Sequence, residues 1–320
     1  MKVGIFSVIL SNQSLDKALD IIRSLDCEAV EIGTGGYPGT SHCDPAELLA
    51  SAPKLADFRA KLDASGLELS SLSCHGNPLH PNKAVAAEHH KAFVDTVKLA
   101  EKVGCGVVTT FAGCPGDCAT AKYPNWVTCP WPGDFLDILD YQWNEVAIPY
   151  WKEQAAFARD HGVKVAFEAH PGFIVYNPET LLRLRAACGD NLGANFDPSH
   201  FFWQGIDPVK AVRALEGAIF HVHAKDTGMY PVNGDVNGYL DTKHYGDEKN
   251  RSWIFRTVGY GHGMEFWGDF VSTLRMCGYD GVLSIEHEDS LMTPQEGLEK
   301  AAAFLKSAII REPKGAVTWA

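Results

Sequence analysis

Three observations predict a closed parallel (β/α)8 barrel with long loops after its fourth and seventh strands. Short β-rich runs alternate eight times with longer stretches whose apolar residues recur three and four apart. None of the short runs shows the polar alternation of a sheet wetted on one side, so both faces are expected to be covered. No linker or compositional break divides the 320 residues, which points to a single domain spanning 1–320.

The first strand is read at Val3–Val8, and Ser14 offers an N-cap oxygen to a helix at Leu15–Leu25. Ala29–Ile32 is followed by a helix at Pro45–Ala64, which Gly66 can close in a left-handed C-cap. Leu67–Ser73 and Ala84–Val103 form the third unit, ended by Gly104. Gly106–Phe111 leads into a long loop, Ala112–Gln142, before a helix at Trp143–His161 and Gly162. Val163–Phe167 precedes the Asn177-Pro178 start of a helix at Pro178–Ala187, closed by Gly189; proline fits a first helical turn because its missing N–H would be unpaired there anyway. Leu192–Phe196 precedes Asp207-Pro208 and a helix at Pro208–Leu215. Ile219–Val222 opens the second long loop, Asp226–Glu265, before Phe266–Cys277 and Gly278. Val282–Ile285 and the Thr293-Pro294 start of Pro294–Ile310 complete the set. An open doubly wound sheet is the alternative, but Ser7-Val8-Ile9-Leu10 stands where its glycine-rich turn belongs.

The composition, 46% hydrophobic and 21% charged, supports a large core and excludes disordered and fibrous classes. A formal charge of −12 disfavours nucleic acid and anionic membrane surfaces as partners. The first residues carry one lysine and a short apolar run broken by Ser11 and Asn12, which reads as a strand of a cytoplasmic protein and not as a leader or a span. Nine scattered cysteines suit reduced thiols. Cys114, Cys118 and Cys129 lack a fourth ligand and the usual zinc-site spacing.

Polar residues cluster where the last four strands end: Glu168 in VAFEAH, Asp197 in NFDPSH, His223 in HVHAKD and Glu286 in SIEHED. In a barrel these ends meet at one mouth, and three carboxylates packed there repel one another unless a cation neutralises them. Three carboxylates and one imidazole make an oxygen-rich site that favours Mn²⁺ or Mg²⁺ and also suits Co²⁺ or Zn²⁺, one divalent ion in all. Any one strand-end carboxylate taken alone reads as a helix cap or rim ion pair; three with a histidine on four consecutive strands do not.

These residues resemble the xylose isomerase-like TIM-barrel superfamily, which includes tagatose and psicose 3-epimerases, inosose dehydratase, hydroxypyruvate isomerase and endonuclease IV. The resemblance covers nearly the whole chain and is most specific in E-x-H-P (Glu168, His170, Pro171), D-x-x-H (Asp197, His200), H-x-K-D (His223, Lys225, Asp226), VGYGHG (258–263) and the Glu286 strand. It implies that Glu168, Asp197, His223 and Glu286 hold the metal, with His223 three residues before Asp226 as the ligand and His221 a deeper, hydrogen-bonded core histidine. It implies His75 and His200 as substrate contacts or proton carriers. His170 and Lys225 are further substrate-binding candidates, Lys225 being also placed to pair with Asp226. Glu31, Gly35-Gly36-Tyr37 and His42 are expected to form another pocket wall. Tyr123, Trp126, Trp131, Tyr230, Tyr239 and Trp253 in the two long loops offer flat surfaces that either stack on a sugar, Trp126 foremost, or pin the loops to the rim. Gly259-x-Gly261-x-Gly263 follows no expected strand and does not read as a dinucleotide fingerprint.

A metal held by two adjacent oxygens of a hydroxy-carbonyl compound acidifies the carbon-bound proton between them and stabilises an enediolate. Glu168 and Glu286 are placed to exchange that proton, one on each face. The leading expectation is an isomerase or epimerase of a free ketose or related keto-sugar, since no P-loop or Lys/Arg cluster for phosphate is present. The alternative is a metal-dependent lyase or dehydratase on 3-oxo-sugars or 3-oxo-glycosides, such as an inosose dehydratase or the barrel subunit of a C-glycoside-cleaving enzyme. Endonuclease IV-like DNA repair is disfavoured by the charge and by Thr110-Phe111-Ala112, which brings no histidine to the fourth strand end. The resemblance further implies a homo-oligomer, and the lyase alternative a small second subunit.

Overall fold

A computed structural model describes residues 1–317, so the last three residues of the expected domain lie outside the described residues. Eight strands close into a parallel barrel: β1 (Lys2–Phe6), β2 (Ala29–Gly33), β3 (Glu68–Ser73), β4 (Val107–Thr110), β5 (Lys164–Glu168), β6 (Leu192–Phe196), β7 (Ile219–Ala224) and β10 (Val282–Ile285), with β10 between β7 and β1. A separate antiparallel ribbon pairs β8 (Asp226–Met229) with β9 (Trp253–Arg256). Burial on both faces explains the unbroken apolar runs: β2 and β6 are buried at every residue.

The helices pack outside this barrel with the caps the sequence supplies. Ser14 accepts from the backbone N–H of Lys17 at 3.3 Å, and Asn177 and Thr180 form a reciprocal capping box at Pro178–Cys188. Gly66 and Gly104 both close helices with φ near 70°. Two expectations change in detail. The first strand ends at Phe6, after which Ser7–Leu10 makes a tight helical turn. The expected helix Pro45–Ala64 is two helices, Pro45–Ala50 and Ala52–Ser65, because Ser51 takes an extended conformation and caps the second, with Pro53 in its first turn.

The two long loops have structure of their own. The first carries a helix at Asp134–Asp140 that runs through a wide π turn, Tyr141–Ala147, into Ile148–Asp160. Gln142, buried in that turn, donates to the carbonyls of Pro115, Gly116 and Asn125 at 3.3, 3.1 and 2.7 Å, which fixes the loop against the barrel. The second contains the β8–β9 ribbon and a helix at Pro231–Asn237. Trp253 stacks on Trp203 at 4.6 Å and 9°, and its indole N–H donates to the Tyr239 carbonyl, so here the aromatic residues anchor the insert.

Gly259-x-Gly261-x-Gly263 follows β9, contrary to expectation, yet its backbone is already engaged. Asp226 Oδ2 accepts from the N–H groups of Gly259, Gly261 and His262 at 3.1, 3.1 and 2.8 Å, and Asp226 Oδ1 meets His262 Nδ1 at 2.7 Å. Glycine is required at 261 because a Cβ there would collide with the Thr227 carbonyl and the Asp226 carboxylate.

Candidate metal centre

Parallel strands end on one side of the barrel, and that geometry gathers residues far apart in the chain. Glu168 is the last residue of β5, Asp197 follows β6, His223 lies in β7 and Glu286 follows β10. One ligand atom from each of the four lies within 4.8 Å of the others. His223 Nδ1 stands 3.1 Å from Glu168 Oε2 and 3.0 Å from Glu286 Oε2.

Asp197 Oδ2, His223 Nδ1 and Glu286 Oε2 are buried and lack a hydrogen-bond partner, although charged atoms approach each within ion-pair distance. Short distances without hydrogen-bonding directions are what converging lone pairs produce, and orphaned buried acceptors are costly. Three carboxylates and one imidazole nitrogen aimed into one space fit a divalent cation with a preference for oxygen ligands.

Two of the four, His223 and Asp197, are oriented from behind. Glu31, fully buried in β2, accepts from His223 Nε2 at 3.0 Å, from Ser284 at 2.8 Å and from Thr109 at 3.0 Å. Burial pushes the Glu31 carboxyl up, but His223 and His221 beside it and its hydrogen bonds hold it at about 2. With Nε2–H given to Glu31, His223 Nδ1 faces the cluster; burial works against its charge, but Glu31 and Glu286 raise His223 well above its ordinary value, and a bound cation would take the place of the Nδ1 proton. Asp197 Oδ1 accepts from the backbone N–H of Ser199 at 2.8 Å, which leaves Oδ2 turned inward.

The remaining expected residues divide. His200 Nε2 lies 3.0 Å from Glu168 Oε1 and 3.2 Å from Asp197 Oδ2; burial works against its charge, but these carboxylates raise its pKa to about 9. His75 Nε2 is 3.1 Å from Glu168 Oε2, while its Nδ1 meets Ser73 Oγ at 2.7 Å. Burial and the nearby His200 hold His170 down at about 3, and its ring packs against that of His200 at 4.0 Å. Lys225 does not pair with Asp226, whose carboxylate is occupied by the glycine turn. Its Nζ instead lies 2.6 Å from Glu288, 3.2 Å from Glu286 and 3.7 Å from Asp197, over the Phe255 ring. His221 bonds Asn195 Oδ1 at 2.9 Å and Ser70 Oγ at 3.2 Å, a satisfied core histidine that burial lowers to about 4.

Trp126 is not brought to this cluster. The Gln142 clamp turns its loop away, and Trp126 sits edge-on to Tyr176 in a separate cleft with Cys114, Ile174 and Arg183. His42 is likewise held at the rim by Ser7 and the Gln13 carbonyl. Tyr123 and Trp131 are both 78% exposed. Cys114 is buried and Cys118 and Cys129 are exposed; among the described residues none of them joins a metal-ligating group.

A cavity of about 230 Å³ lies over the cluster, lined by Glu168, Glu286, His75, Phe6 and Phe111 among others. Phe111, Phe173, Tyr245 and Phe255 line the adjoining mouth and were not picked out from the sequence. Phe111 stands one residue past its strand end, as Asp197 and Glu286 do, and that position was the available signal. Among the described residues no helix is long and apolar enough to cross a membrane.

The family model described as xylose isomerase-like TIM barrel matches residues 19–308. The uncharacterized protein YfiH of Bacillus subtilis (strain 168) is 39% identical over 313 residues, covering 97% of this chain and 99% of that protein. Among solved structures, the IOLI protein with a binding zinc atom superimposes with a TM-score of 0.66 at 18% identity, covering 97% of this chain and 98% of that one. A D-tagatose 3-epimerase-like protein superimposes with a TM-score of 0.63 at 23% identity, covering 96% and 98%.

Proposed function

Because the chain belongs to the xylose isomerase-like TIM-barrel family, we propose that it is a divalent-metal-dependent enzyme that moves a proton beside the carbonyl of a free ketose or related keto-sugar, isomerising or epimerising it through an enediolate. One observation carries this reading: Glu168, Asp197, His223 and Glu286 direct ligand atoms into one space, and three of those atoms have no hydrogen-bond partner. Those four residues would hold the ion, with Mn²⁺ or Mg²⁺ favoured by the carboxylate-rich set. When bound, the cation supplies Lewis acidity toward the oxygens of a hydroxy-carbonyl group.

The chain's own residues account for the proton. Glu168 and Glu286 both line the inner cavity and come from different strands, so each can take or return a carbon-bound proton from its own side. The hydrogen bond from His200 to Glu168 Oε1 orients that carboxylate. His75 Nε2, buried and without a hydrogen-bond partner, is placed to bind a substrate hydroxyl. Phe6 and Phe111 add apolar surface to the same space. Lys225, beside this cavity, is taken up by Glu286, Glu288 and Asp197, which favours an unphosphorylated sugar.

A second reading, a lyase or dehydratase on 3-oxo-sugars or 3-oxo-glycosides, uses the same proton abstraction followed by loss of a β-substituent. The adjoining aromatic mouth favours it. Incubating metal-loaded protein with ketoses and 3-oxo-glucosides in D₂O separates the two. Deuterium at one carbon of recovered or rearranged sugar supports the first reading, release of water or aglycone the second, and neither event with any substrate contradicts both.

A further inference from the structure

Beside the inner cavity lies a second cavity of about 480 Å³ whose walls are chiefly aromatic. Phe111 and Phe173 stack at 4.1 Å and 19° on one part of the wall, and Tyr245 and Phe255 stack at 5.7 Å and 21° on another. The first pair follows β4 and β5; the second belongs to the insert after β7. Tyr37, Phe111 and Glu288 line both cavities, so the two adjoin. The outer cavity lies within the ~300–1,000 Å³ range of pockets that hold drug-sized ligands, and the inner one is below it.

These features divide the ligand in two. The inner part meets carboxylates and a histidine, as a polyol ketone requires. The outer part meets flat apolar faces, and the charge of Glu288 on its wall is balanced by Lys225 at 2.6 Å. We infer that the substrate is a keto-sugar bearing a flat, apolar substituent, with the sugar over the metal centre and the substituent between the aromatic walls. This rests on the metal-dependent reading above and adds the substrate class to it.

Hydroxamates test both layers, because they chelate divalent ions through two adjacent oxygens as a hydroxy-carbonyl group does. Mn²⁺-loaded protein is titrated calorimetrically with acetohydroxamate and with benzohydroxamate, and the affinity ratio is compared with that for Mn²⁺ free in solution. Burial of one aromatic ring predicts that the protein prefers benzohydroxamate roughly tenfold more than the free ion does. In Phe173→Leu, a substitution that keeps an apolar side chain, this preference falls toward the free-ion value. A ratio equal to that of free Mn²⁺ in the parent protein overturns the aromatic subsite and leaves the metal reading intact. Failure of both compounds to bind the Mn²⁺-loaded protein overturns the metal reading and the substrate class with it.

Discussion

Glu31 and His223, 192 residues apart in sequence, meet at 3.0 Å inside the barrel, and the contact turns His223 Nδ1 toward Glu168 and Glu286. A carboxylate behind a ligating histidine fixes its tautomer and raises its basicity. Glu31→Gln keeps the shape and removes the charge. Calorimetric Mn²⁺ affinity is expected to fall roughly 10–100-fold; an unchanged affinity would show that His223 needs no such support.

Glu286 contributes both to ion binding and to proton exchange in this account. Glu286→Gln is expected to abolish turnover of any substrate the parent accepts and to weaken metal uptake, measured by kinetics and by metal analysis of the purified protein. A fully active variant overturns its assignment.

Asp226 organises the turn that carries Gly259, Gly261 and His262, and it also accepts from the Trp267 indole N–H at 3.3 Å. Replacing this buried carboxylate by Asn sets an amide N–H₂ against donors. Urea denaturation of Asp226→Asn is expected to show a loss of about 3 kcal/mol, and Gly261→Ala is expected to destabilise through collision with the same carboxylate. Stability equal to the parent in both variants would refute this role.

Asp241 ties down the long insert. Its side chain, 1% exposed, accepts from the backbone N–H of Ser252 at 2.7 Å and of Lys243 at 2.9 Å, and pairs with Lys243 Nζ. Burial pushes its carboxyl up, but these donors prevail and hold it at about 2, below the ordinary 3.8. A depressed native pKa means that the stabilisation is complete above the unfolded value and is lost as pH falls from there through the native one. Pepsin is therefore expected to cut the insert of Asp241→Asn faster than that of the parent near pH 4, with the two rates converging near pH 2. A rate ratio independent of pH would contradict the linkage.

The barrel was legible because a parallel sheet covered on both faces leaves a local signature, visible in runs such as Leu192–Phe196, and because caps such as Ser14 and Asn177 mark helix starts. The convergence of Glu168, Asp197 and Glu286 was legible from their strand-end positions, whereas the choice of His223 over His221 rests on the resemblance of its H-x-K-D motif. What local pattern does not carry is contact across the barrel. Glu31 was placed on a pocket wall, and its partnership with His223 depends on the closure of the sheet. Sequence places Lys225 either against its neighbour Asp226 or at the substrate, but the glycine turn folds onto that carboxylate and leaves Lys225 to Glu286 and Glu288. The prominent loop aromatics, Trp126 and Trp253, went to packing, while Phe111 and Phe173 took the mouth.

The most direct test of the central claim is an anomalous difference map from crystals soaked in Mn²⁺. The account predicts one strong peak among Glu168 Oε2, Asp197 Oδ2, His223 Nδ1 and Glu286 Oε2. A map with no peak at that position, or with the four side chains turned away from a peak elsewhere, would contradict it.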